Sequence, residues 1–394
     1  METLHFSVSP WLALLVSLGL ALAATPLAMR LAWYLNIVDN PNKARKVHTR
    51  PIPYLGGVAI YFAFLVATLL FNELSTEIIA MLVGGFILMV VGALDDKKDL
   101  SPRLRLVVQF GCALLAVASG IHIVGFSVPF ISDFIPLGIL SWPLTIIWII
   151  ATTNVINFID GLDGLSAGTT VIVCLTLIFV AWGSADQGLY NYGAVIMLCL
   201  AMIGSSLGFL RYNFHPARIF MGDAGAYFIG YVLGCLSVIG PMKQAALLTM
   251  LTPAIALGLP IFDTAVVMFR RVREERSPMS ADRTHAHHRL FDSGFSQRQT
   301  VLWLYAISTC FGLAAVSIST PQGRIIALVT GVVGVCLFVY AHRLESKRIN
   351  DRPTRDLTDA INQLRQTRDY TEELSSLREQ EEIPGSARKD EPQQ

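Results

Sequence analysis

Charge is what this sequence has least of. Only 15% of its 394 residues are Asp, Glu, Lys or Arg, while 53% are hydrophobic. A soluble domain usually carries about 25% charged residues, so this composition argues against a freely solvated globular or disordered chain. The net charge of +1 says nothing useful about nucleic acid, and no nucleic-acid partner is expected. Cysteines are few and unpaired in pattern: Cys112, Cys174, Cys199, Cys235, Cys310 and Cys336 all fall in apolar blocks, none at CxxC spacing. That excludes a disulfide or zinc framework and leaves them as small packing residues. No cleavable signal peptide is evident, because the first apolar block is followed by many others and reads as an anchor. No internal repeat is found, which counts against a transporter built from symmetric halves.

What is present is apolar sequence in long blocks. A helix of about 20 apolar residues crosses a hydrocarbon core of roughly 30 Å, and lipid offers no partner for an unpaired backbone, so spanning segments become helices. The pattern predicts an all-α integral membrane protein with about eleven transmembrane helices, near 11–35, 54–72, 77–94, 104–124, 137–153, 167–183, 191–209, 224–240, 246–269, 299–319 and 324–341. The divide between the fourth and fifth is indistinct, since 121–137 is itself apolar and contains Pro129 and Pro136. Lys and Arg collect in 36–53, 95–103, 154–166, 210–223, 270–298 and the tail, whereas the opposite loops hold little beyond Lys243. Positive charge stays on the cytoplasmic side, which places the N-terminus outside (periplasmic) and the C-terminus in the cytoplasm. Residues 1–345 read as one polytopic membrane domain, and 346–394 as a charged cytoplasmic tail, part helical and part disordered.

The acids follow the basic residues to the same side. In G-A-L-D-D-K-K-D-L-S-P-R (92–103), Asp95 and Asp96 are adjacent at a membrane boundary, with Asp99 one turn on. Like charges this close raise a pKa or recruit a cation; the plain alternative is a solvated loop neutralised by Lys97 and Lys98. In T-N-V-I-N-F-I-D-G-L-D-G-L (153–165), Asn154, Asn157, Asp160 and Asp163 recur every third residue, and the spacing predicts a shared face on a helix or tight turn. Two carboxylates and two amides suit a hard cation such as Mg²⁺ or Mn²⁺; the amides equally suit a sugar or base. A capped loop with Asx turns explains one or two of them.

Arg211, His215 and Arg218 precede Gly222-Asp223, where Asp223 opens the eighth expected span. A carboxylate there is either a helix cap or a metal ligand beside a phosphate. The loop 269–296 combines four arginines in 270–276, among them Arg271 and Arg273, with an H-x-H-H cluster of His285, His287 and His288. Zinc is one reading of three imidazoles, and a positive-inside anchor another. Arginines with histidines suit a pyrophosphate better. Carboxylates able to hold a divalent ion, with Arg and His donors at a bilayer surface, suggest phosphoryl transfer between a soluble anion and a lipid anion.

These segments carry a family resemblance. V-D-x-P-N…H-x-R-x-I-P-x-x-G-G across 38–57, D-D-x-x-D at 95–99, N-x-x-N-F-x-D-G-x-D-G-L at 154–165, M-G-D-A-G at 221–225 and D-R-T-H-A-H-H at 282–288 resemble, in order, the polyprenyl-phosphate N-acetylhexosamine-1-phosphate transferases. The resemblance covers about 1–345. Ala286 between the histidines, with the R-R-V-R context at 270–273, is similar to the WecA-like branch rather than to the branch that handles UDP-MurNAc-pentapeptide. One departure is Ala226, where the family often has serine.

The resemblance implies transfer of GlcNAc-1-phosphate from UDP-GlcNAc to undecaprenyl phosphate with release of UMP. It implies a Mg²⁺ or Mn²⁺ cofactor, the bacterial inner membrane, and a common tendency to homodimerise. It implies Asp223 as metal ligand, Asp95 and Asp96 at the reaction centre with Asp95 as candidate base or lipid-phosphate contact, and Asp160 and Asp163 alongside them. It further implies Asp39, Asn154, Asn157, Arg271, Arg273, His285, His287 and His288 as substrate contacts. Other UDP-N-acetylhexosamines, UDP-MurNAc-pentapeptide and, from another class, a membrane transporter are the alternatives.

Overall fold

The computed structural model describes residues 10–39, 50–128, 132–183, 192–239, 244–246, 295–318, 326, 329–337 and 340. The expected span 246–269 beyond Ala246, part of the span 324–341, the tail, and the loop bearing Arg271, Arg273, His285, His287 and His288 lie outside the described residues. The architecture is mostly helical: α1 (Pro10–Tyr34), α2 (Gly56–Phe71), α3 (Thr76–Lys98), α4 (Pro102–Ala118), α5 (Ser141–Ile159), α6 (Leu165–Gly183), α7 (Tyr192–Asn213), α8 (Gly222–Ile239) and α9 (Gln297–Ile318). Among the described residues, seven helices are long and apolar enough to cross a membrane, namely α1, α3, α5 with its preceding 3₁₀ turn, α6, α7, α8 and α9. Helix α2 has 16 residues, and α4 has 17 with Arg103 and Arg105 in its opening turn.

Two small sheets qualify the all-α expectation. β1 (Val38–Asp39) pairs antiparallel with β2 (Ile52–Pro53). β3 (Gly125–Val128) lies between β4 (Ser132–Pro136), antiparallel, and β5 (Gln244–Ala246), parallel. The apolar stretch 121–137 therefore contributes strands rather than helix; a helix through it would carry Pro129 and Pro136 in its interior, which costs backbone hydrogen bonds and causes clashes.

Helix α8 is the centre of the bundle. Every residue from Ala224 to Val238 is buried, with α2, α3 and α5 packed around it. Apolar burial alone does not drive helices together in lipid, so close backbone approach through small residues does much of the work. A Cβ on Gly57 would collide with the Gly225 backbone, and one on Gly92 with the backbone at Asp223–Ala224. α2 is also tied to the strand-like segment before α8: Phe220 donates to the Pro53 carbonyl at 2.9 Å, and Gly56 and Gly57 donate to the carbonyls of Phe220 and Met221 at 3.0 Å.

Helix boundaries differ from the expected spans where the polar motifs lie. α3 runs on through Asp95 and Asp96 to Lys98, ended by Asp99 in a left-handed conformation at φ 52°. Lys97 and Lys98 sit in that last turn, where the helix dipole favours cations. α5 likewise continues past Asn154 and Asn157 to Ile159. Both motifs thus begin as helix ends rather than as loops.

Candidate active site

Three helix ends converge on Asp223. It stands in the first turn of α8, preceded by Gly222 at φ 71°. A side chain at Gly222 would run into the Asp96 carboxylate. Asp96, from the last turn of α3, accepts the backbone N–H of Asp223 at 2.9 Å and that of Ala224 at 3.4 Å. It therefore caps α8 from a different helix, satisfying donors that a helix start leaves open. Asn157 on α5 donates from Nδ2 to Asp223 Oδ1 at 2.6 Å.

Asp95 also lies beside Asp223 but has partners of its own. Its Oδ2 meets Arg105 Nε at 2.8 Å and accepts the Tyr227 hydroxyl at 3.0 Å, while Oδ1 accepts the Leu100 N–H at 2.8 Å. Its side chain is 1% exposed. Arg105 also reaches Asp99 at 2.9 Å, tying α4 to the end of α3. A buried carboxylate this fully partnered locks α3, α4 and α8 together.

Asp160 terminates α5 and is half-buried. Burial, and the charges of Asp223 and Asp163 beside it, push its carboxyl up to about 8. Tyr54, between β2 and α2, belongs to the same neighbourhood. Burial and the charges of Asp96, Asp223 and Asp160 hold its hydroxyl above the ordinary phenol value, and its ring lies 5.7 Å from that of Phe220. Asp39, in β1 opposite Ile52, is buried at the foot of the same ribbon.

The residues of 154–163 do not share one face. Asn157 and Asp160 join Asp223, but Asn154 forms an amide pair with Gln109 on α4, donating to its Oε1 at 2.7 Å. Asp163 turns to the loop after α7, where its Oδ2 meets His215 Nδ1 at 2.8 Å and the Ala217 N–H at 3.0 Å. The reason is geometric: steps of three residues fall about 60° short of a full α-helical rotation each time, and the helix ends before Asp160. Three site residues had no distinct sequence signal. Arg105 looks like an ordinary positive-inside residue, Tyr227 like a core aromatic, and Tyr54 occupies a variable x of P-x-x-G-G.

Among the described residues, no group of three or more His, Cys, Asp or Glu side chains forms a ready metal cage. The donor set nevertheless fits Mg²⁺ or Mn²⁺. Asp223 is an electrostatic neighbour of Asp95, Asp96 and Asp160, and Arg105 is committed to Asp95 and Asp99. Mg²⁺ characteristically uses one or two carboxylates and takes its other ligands from water and substrate phosphates.

A multi-helix membrane protein with buried carboxylates gathered at converging helix ends is the class that fold and site define. A model of glycosyl transferase family 4 matches residues 78–241, which include Asp95, Asp96, Asn157, Asp160 and Asp223. The chain is 42% identical over 306 residues to a probable undecaprenyl-phosphate N-acetylglucosaminyl 1-phosphate transferase of Bacillus subtilis (strain 168), covering 77% of this chain and 83% of that one. It is 35% identical over 332 residues to a decaprenyl-phosphate N-acetylglucosaminephosphotransferase of Mycolicibacterium smegmatis, covering 75% and 79%. It is 31% identical over 280 residues to an undecaprenyl-phosphate alpha-N-acetylglucosaminyl 1-phosphate transferase of Yersinia pestis, covering 69% and 74%. The chain belongs to the polyprenyl-phosphate N-acetylhexosamine-1-phosphate transferase family.

Proposed function

We propose that this protein transfers GlcNAc-1-phosphate from UDP-GlcNAc to undecaprenyl phosphate, releasing UMP, at the cytoplasmic face of the bacterial inner membrane. Its product in this reading is the lipid-linked primer of a cell-surface polysaccharide of O-antigen or common-antigen type. The observation that carries the proposal is the meeting of Asp96, Asn157 and Asp223 at three helix ends. The side is argued from the concentration of Lys and Arg in the loops that bear these motifs, as is an outside N-terminus in an eleven-span chain.

In the proposed step, an oxygen of the lipid phosphate attacks the phosphorus attached to GlcNAc. The bond from that phosphorus to the bridging oxygen breaks, and UMP leaves with the electron pair. Asp223, with Asp96 or Asp160, would hold Mg²⁺ or Mn²⁺, which when bound supplies charge neutralisation between two phosphates that otherwise repel. The second pKa of a phosphate monoester is near 6, so the lipid phosphate is already largely a competent nucleophile at pH 7. No side chain then has to deprotonate it, which agrees with an Asp95 occupied by Arg105, Tyr227 and Leu100. Arg271, Arg273, His285, His287 and His288 take the pyrophosphate in this reading.

The test is UMP release from purified protein in detergent with UDP-GlcNAc, undecaprenyl phosphate and Mg²⁺, with and without chelator, beside Asp223→Ala. Metal-dependent release that disappears in the variant supports the proposal. Turnover only with another UDP-sugar or another polyprenyl phosphate would keep the chemistry and reject the substrate named. Release insensitive to chelator would reject the metal.

A further inference from the structure

Outside the carboxylate cluster, the described residues hold a histidine–aspartate pair. His215 lies in the loop between α7 and α8, and Asp163 in the turn between α5 and α6. His215 Nδ1 meets Asp163 Oδ2 at 2.8 Å. An ionised carboxylate only accepts hydrogen bonds, so the pair keeps a proton on Nδ1. The ring is held from its backbone as well, by Arg298 Nε on α9 donating to the His215 carbonyl at 3.1 Å. Its side chain is 36% exposed, and Nε2 has no partner among the described residues.

Closing this loop does not require the imidazole. Gly164 donates to Asn213 Oδ1 at 2.9 Å, Asn213 Nδ2 donates to the Ile219 carbonyl at 2.9 Å, and Ala217 already donates to Asp163 at 3.0 Å. A ring oriented through Nδ1 with its other nitrogen toward solvent is arranged to contact a ligand. Its surroundings say which kind. Asp163 interacts electrostatically with Asp160, and Asp160 with Asp223, so the pair borders the cluster. Arg211 and Arg218, four residues before and three after His215, are exposed, and Arg298 reaches in from α9. The charged groups in contact with His215 are thus Asp163 and Arg298, with Asp160 beyond Asp163 and Arg211 and Arg218 nearby in the chain. That rim suits a phosphate.

We propose that His215 is a phosphate-contacting residue of the transferase site, with Asp163 as the positioning residue that orients its ring. As an imidazolium, His215 keeps its Nδ1–H on Asp163 while its Nε2–H donates to a phosphate oxygen, from either the nucleotide sugar or the polyprenyl phosphate. The inference rests on the transferase reading above.

The experiment uses the full chain in detergent with UDP-GlcNAc and undecaprenyl phosphate, measuring kcat, KM for each substrate and Tm for His215→Ala, His215→Gln and Asp163→Asn. A lost charge-assisted hydrogen bond is worth roughly 10- to 100-fold, so His215→Ala should raise one KM by about that factor with a smaller change in kcat. His215→Gln, whose amide nitrogen can stand near Nε2, should recover part of it, and Asp163→Asn should lie between. A raised donor KM assigns the contact to the nucleotide sugar, a raised acceptor KM to the lipid phosphate. Unchanged KM values, or KM changes that follow Tm equally in Ala and Gln, would leave His215 a loop clamp and overturn the proposal. Absence of turnover in the wild type is a separate result that would overturn the transferase reading together with it.

Discussion

The Asp96 carboxylate, at the end of α3, accepts the backbone N–H of Asp223 at 2.9 Å, at the start of α8. One side chain therefore joins two helices and brings a second carboxylate beside Asp223. Alanine at 96 removes both acceptors, and loss of a cap costs about 0.5–2 kcal/mol; asparagine keeps one oxygen and loses the charge. Asp96→Ala is expected to lower Tm more than Asp96→Asn, while both lose transfer activity on the order of 100-fold. Thermal scans alongside UMP-release assays check this, and equal Tm values would reject the capping role.

The Arg105–Asp95 pair supplies the second prediction. Asp95 is nearly inaccessible, and breaking a buried pair from one side strands a charge at a cost of about 3–5 kcal/mol. Arg105→Met should therefore be strongly destabilised, and Arg105→Met with Asp95→Leu should recover much of the loss. A double-mutant cycle in thermal or denaturant unfolding measures the coupling; additive effects would contradict the observed contact.

Backbone approach at the α2–α8 and α3–α8 crossings leaves no room for a methyl group at Gly57 or Gly92. Gly57→Ala and Gly92→Ala should push Asp223 away from Asp96 and reduce kcat at least tenfold, a displacement of about 1 Å being enough for larger losses. Gly19→Ala, where a Cβ meets nothing, should behave as wild type. Normal activity in the first two variants would mean that the crossings tolerate expansion.

Asp160 should make stability depend on pH. Its carboxyl is pushed up to about 8 in the folded protein, whereas an unfolded chain loses that proton near pH 4. Between those values the folded state binds more protons than the unfolded state. The stabilisation is full below about pH 4 and is lost as pH rises toward 8. Without added divalent ions, Tm should fall from pH 6 to 9 in the wild type and fall less in Asp160→Asn. Parallel curves for the two proteins would show that Asp160 ionises normally.

The membrane setting was legible because it depends on composition over long windows: blocks such as 11–35 and 191–209 are apolar whichever neighbours they meet. The motif segments were legible too, since clustered Asp and Asn at the ends of apolar runs, as at 95–99 and 154–163, stand out locally. Chain order alone does not say where those side chains turn. Asn154 pairs with Gln109, 45 residues away in sequence, and Asp163 with His215, 52 away. Neither partner follows from spacing.

By itself the sequence determined the helical, membrane-spanning class and the residue types available for phosphate and metal chemistry, because lipid forces apolar runs into helices and leaves the acids at their ends. The tertiary structure decided which acids meet: Asp96 and Asn157 at Asp223, Asp95 at Arg105 and Tyr227, Asp163 at His215. Those choices depend on where each helix stops and on how closely Gly57, Gly92 and Gly225 let the backbones approach. A shift of one residue turns a helical side chain by about 100°, so contacts between distant segments are fixed only when the helices pack.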